Sequence, residues 1–169
     1  FMDGIDQFIH FLTVEKRSSA HTIVAYKNDL EQFSTFIEEE HPDLVTYQDV
    51  RSWIVHLMNR NISSRPVNRK LSTLRKFFKY LQTQDSVKVN PMTKITGPKV
   101  KKRLPVYVPG RDMEYLDDIL KTEPDNWENY RAYVIIMLFY ETGIRLSELI
   151  HLKSEDVAEN QIKVLGKRN

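Results

Sequence analysis

Apolar residues recur at helical spacing in four segments of the first half of the chain, and short polar connections separate these segments. The segments cover about residues 3–16, 19–40, 46–61 and 63–84. Spacings of three and four residues place the apolar side chains of each segment on one face of a helix. The inward positions are Ile5, Phe8, Ile9 and Leu12; Ile23, Tyr26, Leu30, Phe33 and Ile37; Val50, Trp53, Ile54 and Leu57; and Leu71, Leu74, Phe77, Phe78 and Leu81. Four short amphipathic helices of this kind predict a compact helical domain.

Composition changes after the fourth segment. Residues 90–110 contain four prolines, two glycines and five basic residues, and they show no helical period. We therefore predict a helical domain over residues 1–92, a basic linker over 93–110 and a second domain over 111–169. In the second domain the sequence predicts two helices, a third helix after Gly143 and a short β-hairpin, and the second of these helices is apolar nearly all round, which is typical of the centre of a core. With only about 60 residues, this domain is expected to be the N-terminal part of something longer.

Several classes of protein are disfavoured by what the sequence lacks. The chain has no cysteine, so disulfides, thiolate metal sites and cysteine catalysis are excluded. Its five histidines show no metal-ligand pairing, and there is no phosphate-binding glycine loop or serine nucleophile motif, so we expect no metal, no cofactor and no small-molecule substrate. The first residues lack the pattern of a secretory leader, so we expect none, and the longest apolar run, residues 132–140, is too short to span a bilayer. We expect a soluble cytoplasmic protein with no membrane partner.

Positive charge is concentrated in one block of the chain. Residues 51–103 hold 14 Lys and Arg against one acid, a net charge of +13, whereas the remainder holds 11 bases and 22 acids. Clustered basic residues on an otherwise acidic protein favour a surface for a polyanion such as DNA, although a solvated basic face is the alternative. The candidate DNA-binding residues are Ser19 and Thr22 at the start of the second helix, Arg69, Lys70, Arg75, Lys76 and Lys79 on the fourth, and Lys99, Lys101, Lys102 and Arg103 in the linker. Ser19 and Thr22 could also be a helix cap and nothing more.

The stretch FYETGIRLSEL places an arginine just after the glycine that ends the apolar helix, and a glutamate three residues later. Residues three apart lie on the same side of a helix, so Glu148 can pair with Arg145 and orient it towards a planar anion. An interior salt bridge with no ligand is the alternative. Lys167 follows Gly166 at the predicted hairpin, where spacing alone indicates a solvated turn residue.

Five stretches together resemble the tyrosine site-specific recombinases, or phage integrases, and most of all their Xer-type branch. They are SSAHTIVAYKNDLEQFSTF, NRKLSTLRKFFKYL, NPMTKITGPKVKKRLP, ETGIRLSELIHLKSEDV and IKVLGKRN. The resemblance implies a mainly α fold: a four-helix core-binding (SAM-like) domain, then a truncated mixed α+β catalytic domain with one short β-hairpin.

The resemblance also implies an activity and its residues. Such enzymes cut and rejoin double-stranded DNA through a 3′-phosphotyrosine intermediate, and they assemble on DNA as tetramers. Arg145 corresponds to a catalytic arginine that binds the scissile phosphate, Glu148 to its support, and Lys167 to the catalytic lysine. The nucleophilic tyrosine of the family is expected beyond residue 169, so this chain alone is expected to be inactive.

Two other functions are alternatives to a recombinase. A recombinase-like protein that binds its site without cutting would carry the same residues. A helix-turn-helix regulator would need a short recognition helix after a tight turn, which the sequence does not indicate.

Overall fold

The structure of the chain, a computed structural model, describes residues 1–101, 104, 106–122 and 126–164. The chain packs as two compact units, Phe1–Arg103 and Leu104–Asn169.

The first unit contains the four predicted helices. They are α1 (Met2–Val14), α2 (Ala20–Ile37), α3 (Tyr47–Asn59) and α4 (Ser64–Thr83), with a 3₁₀ turn at Pro42–Leu44 between α2 and α3. Ser19 caps α2 by accepting the Thr22 N–H, and Thr46 caps α3 in a reciprocal capping box with Asp49. The helix α2 ends at Glu38, whose left-handed backbone stops it slightly earlier than the predicted end near Glu40.

The core of the first unit lies around α4, which packs against each of the other three helices. Its apolar stripe is fully enclosed: Leu71, Leu74, Phe77 and Phe78 have no exposed surface, and Leu81 almost none. The Phe33 ring lies edge-on to Trp53 and to Phe78. This packing confirms the fold predicted from periodicity.

The chain after α4 folds back onto this helix. Met92 and Ile95 are buried in the core cluster. The Asn68 side chain donates a hydrogen bond of 2.8 Å to the Pro98 carbonyl, and Arg75 donates one of 3.0 Å to the Ile95 carbonyl. The first residues of the predicted linker, up to Pro98, therefore belong to the packed surface of the first unit. The exact domain boundaries stay a prediction.

The described residues of the second unit form three helices, a 3₁₀ turn and the predicted hairpin. The helices are α5 (Gly110–Thr122), α6 (Trp127–Thr142) and α7 (Leu146–Ile150), the turn is Ser154–Asp156, and the hairpin strands are β1 (Val157–Ala158) and β2 (Gln161–Ile162). The two strands pair antiparallel, with Val157 opposite Ile162. Gly143 ends α6 in a left-handed conformation with φ of 63°, which glycine adopts without a steric cost.

The expectation that α6 lies at the centre of a core is wrong for the described chain. No described residue of α6 is buried, and Val134, Ile135 and Ile136 are each between 37% and 38% exposed. A helix that is apolar on all sides needs neighbours on all sides, and here α5 is its main helical neighbour. Within the described ranges, no helix is both long enough and apolar enough to cross a membrane.

Candidate nucleic-acid interface and arginine cleft

A buried charged cluster joins α2 to α4. The Asp29 carboxylate accepts two hydrogen bonds from the Arg69 guanidinium, of 2.6 and 2.8 Å, one of 2.9 Å from Lys70 Nζ, and one of 3.0 Å from the Thr73 hydroxyl. Lys70 Nζ also donates to Gln32 Oε1 at 2.6 Å. Asp29 is only 1% exposed, and its four acceptor sites are filled by these four bonds. The cluster carries two positive charges against one negative charge.

The two basic residues of this cluster differ in their access to solvent. The Arg69 side chain is 50% exposed, whereas the Lys70 side chain is only 9% exposed. Lys70 precedes Leu74 by four residues and Phe77 by seven, so it lies on the apolar side of α4. The Lys70 ammonium is therefore largely enclosed in this structure, and its contact with a phosphate stays a prediction.

A second pair joins the same two helices two turns further along α4. Lys76 Nζ donates to the Tyr26 hydroxyl and lies 5.0 Å from the centre of the Tyr26 ring. Tyr26 follows Thr22 by four residues and Ser19 by seven, so all three lie on one side of α2. Because these contacts align the helices, we define the basic face as Ser19, Thr22, Arg69, Lys76 and Lys79.

The remaining DNA-binding candidates lie elsewhere or outside the described residues. Arg75 is exposed, but its guanidinium bonds the Ile95 carbonyl, so it holds the segment after α4. Lys99 and Lys101 are exposed. Lys102 and Arg103 lie outside the described residues.

In the second unit, Arg145 and Glu148 form the predicted pair at the start of α7. The Arg145 guanidinium donates to Glu148 Oε1 at 2.6 Å, and the Arg145 backbone N–H donates to Glu148 Oε2 at 2.9 Å. The Glu148 side chain is 10% exposed and the Arg145 side chain 72%. The Glu148 side chain is thus largely enclosed, with one hydrogen bond on each carboxylate oxygen, whereas the exposed Arg145 guanidinium uses one of its five N–H donors in this pair.

The charge of Glu148 is stabilised by the same contacts. The backbone N–H of Arg145, followed by its guanidinium, holds the pKa of Glu148 below its ordinary value of 4.5. The carboxylate therefore stays ionised at neutral pH and keeps the arginine in place.

The guanidinium lies at a cleft of about 740 Å³ between the start of α7 and the hairpin. The lining includes Gly143 and Ile144 on one side and the hairpin residues 157–162 on the other. An open cleft with one oriented arginine can bind a planar or tetrahedral anion. Lys167, the other predicted catalytic residue, lies outside the described residues.

The sequence analysis did not identify a role for Asp29, and it predicted Tyr26 only as part of the apolar stripe of α2. Asp29 lies four residues before Phe33, at the edge of the apolar stripe of α2, and an acid at such a position is the signal that could have singled it out. Its partners on α4 depend on the register of the two helices, which periodicity does not give. In the structure the Tyr26 hydroxyl accepts a hydrogen bond from Lys76 Nζ.

The first half of the chain matches a known domain. Residues 5–85 match the family described as phage integrase, N-terminal SAM-like domain. The chain is also 42% identical over 171 residues to the tyrosine recombinase XerC of Staphylococcus saprophyticus, covering 98% of this chain and 57% of that protein. The chain is a Xer-like relative of the tyrosine recombinases. The XerC of Staphylococcus epidermidis gives 41% identity over 99% of this chain and 58% of its own length. This Xer-like chain thus spans somewhat over half the length of the curated relatives it matches.

Solved structures of other integrases share the fold of this Xer-like chain. A lambda integrase dimer bound to a COC′ core site matches 99% of this chain and 59% of its own, with a TM-score of 0.76 and 13% identity. The Tn1549 transposon integrase in complex with circular intermediate DNA matches 93% of this chain and 51% of its own, with a TM-score of 0.67 and 17% identity. At these identities the likeness establishes the fold alone.

Proposed function

We propose that this chain is the DNA-binding part of a site-specific recombinase that cuts and rejoins double-stranded DNA through a 3′-phosphotyrosine intermediate. The observation that carries the proposal is the arginine cleft: a motif matching the first catalytic arginine of the tyrosine recombinases folds into an exposed guanidinium held by an enclosed carboxylate. The high identity to XerC recombinases over nearly the whole chain supports the same assignment.

Duplex DNA is the partner for the basic face of the first unit. Three of its residues, Arg69, Lys76 and Lys79, present cations along one side of α4. Hydroxyls and free N–H groups at the start of α2 supply further donors for phosphate oxygens. The DNA held by the lambda and Tn1549 integrases, which share the fold, supports this partner.

In the full-length protein, Arg145 neutralises charge on the phosphate during cleavage, and Glu148 keeps its guanidinium oriented. Lys167 is proposed as the acid that protonates the leaving 5′ oxygen. We propose that the nucleophilic tyrosine lies in the part of the recombinase that this chain does not span, so the chain binds DNA without cutting it. The full-length protein acts in the cytoplasm as a tetramer on its site.

The test of the DNA partner is the salt dependence of binding to a short labelled duplex, measured by fluorescence anisotropy. Replacing Lys76 and Lys79 by glutamine should weaken binding and reduce the slope of log affinity against log salt by about 0.9 for each lost phosphate contact. The matched control is Lys27→Gln, which removes an exposed lysine that pairs with Glu31 elsewhere on α2. If the control reduces the slope of log affinity against log salt equally, or if the double substitution leaves this slope unchanged, the basic face does not contact DNA.

A further inference from the structure

A buried carboxylate, that of Asp29, lies beneath the basic face of the first unit. The negative charge of Asp29 lowers the net positive charge of a surface that is proposed to bind phosphates. An aspartate at this position is therefore unfavourable if only the attraction to DNA is considered. Stability alone does not explain it either, since apolar residues often replace a buried ion pair without loss of stability. The geometry of the cluster suggests a different role.

Arg69 retains donors while it is held. Its guanidinium has five N–H groups, and Asp29 accepts from one on each terminal nitrogen. Three N–H groups remain on a half-exposed side chain. An arginine fixed along one edge has already lost much of its rotational freedom, so less entropy is lost when the remaining donors bind an anion.

Lys70 completes the arrangement by supplying the charge that Asp29 needs. Its ammonium lies 2.9 Å from Asp29 Oδ1 and is almost fully buried. The carboxylate is thus neutralised from the interior, and the positive charge of Arg69 is left for an external partner.

We propose that Asp29 is a positioning residue for DNA binding, which holds the Arg69 guanidinium so that Nε–H and the neighbouring Nη–H, on the edge that Asp29 leaves open, meet a backbone phosphate. This role rests on the proposed function of the basic face. It differs from a structural role because it couples Asp29 to the contribution that Arg69 makes to DNA affinity.

Two backgrounds, the unsubstituted chain and a variant without the buried charges, separate the positioning role of Asp29 from its effects on net charge and on folding. The double variant Asp29→Leu with Lys70→Met removes both buried charges, so the net charge of the chain is unchanged and Arg69 stays charged but unheld. Thr73 keeps the Arg69 carbonyl, at 3.5 Å, as an acceptor. Urea unfolding and circular dichroism check that each variant is folded before its binding is measured.

The measurement is the loss of duplex affinity on Arg69→Gln in each background, at one low salt concentration. In the unsubstituted chain we expect a loss of about tenfold, the size of one charge-assisted hydrogen bond. In the apolar background the same substitution should cost less than about threefold. Equal losses in the two backgrounds would overturn the positioning role.

A second substitution decides the question if the apolar background does not fold. Arg69→Lys keeps the charge at an exposed position but loses the planar fork, so it should bind several-fold more weakly than the unsubstituted chain. Binding as tight as that of the unsubstituted chain would overturn the proposal. If the unsubstituted chain itself binds no duplex at low salt, the proposed DNA partner fails and this inference fails with it, whereas equal losses with binding intact overturn the inference alone.

Discussion

Replacing Gly97 by alanine should loosen the segment after α4 from the first unit. A Cβ at this position would lie 1.8 Å from Asn68 Oδ1, 3.0 Å from Asn68 Cγ and 3.3 Å from Leu71 Cδ1. Gly97 is not among the described residues with positive φ, so the cost is steric and not conformational. The Asn68 carboxamide has to turn away, and its 2.8 Å hydrogen bond to the Pro98 carbonyl is then lost.

The expected cost follows from these contacts. Losing the hydrogen bond costs about 1 kcal/mol, and crowding a packed site costs about 1–3 kcal/mol more. Alanine also stiffens the unfolded chain, which offsets about 0.4–1 kcal/mol. We therefore expect the free energy of unfolding of the first unit to fall by about 1–3 kcal/mol.

Urea unfolding followed by the fluorescence of Trp53, which is buried in the first unit, measures this change. Trp127, which is exposed in the second unit, is replaced by phenylalanine so that one tryptophan reports. The matched control is Gly4→Ala in α1, where a Cβ would be no closer than 3.5 Å to its neighbours. This control should be neutral or stabilise the unit by up to about 1 kcal/mol.

Asn68→Ala provides the decisive comparison, because it removes the clashing side chain. In that background Gly97→Ala should cost much less than in the unsubstituted chain. An equal cost in both backgrounds would refute the steric argument.

Three further predictions concern the core and the arginine cleft. Leu74→Ala should lower the free energy of unfolding of the first unit by about 2–5 kcal/mol, because the side chain is fully enclosed, whereas Val55→Ala at a half-exposed position should cost far less in the same urea assay. In the full-length protein, the proposed function predicts that Arg145→Lys keeps DNA binding but slows cleavage by about a hundredfold or more, since lysine lacks the planar fork; cleavage at the unsubstituted rate would make Arg145 structural. An NMR titration of Glu148 should give a pKa below 4.5, so the stability contributed by its ion pair is complete above about pH 4.5 and is lost as pH falls through the lowered pKa; a value at or above 4.5 would contradict the pairing.

Helical periodicity was sufficient to predict most of the first unit. The buried stripe of α4 and the cap at Ser19 are local features, and each was predicted from neighbouring residues alone. The short hairpin near Ile162 was predicted from alternation and is confirmed.

The features that the sequence did not predict depend on contacts between distant segments. Asp29 meets Arg69 and Lys70 only because α2 and α4 pack in one register. The proline-rich stretch up to Pro98 was interpreted as a linker because it has no period, yet its apolar residues pack against α4. The pairing of Arg145 with Glu148 was predictable because the two residues lie three positions apart.

The central claim is that the basic face binds duplex DNA while this chain forms no covalent bond to it. The most direct measurement incubates the 169-residue chain with a nicked duplex that carries the recombination site proposed for the full-length protein. We predict a mobility shift that weakens steeply with salt and disappears completely in denaturing detergent. The absence of any shift at low salt would contradict the role of the basic face, and a band that survives the detergent would mean that a tyrosine of this chain is itself a nucleophile.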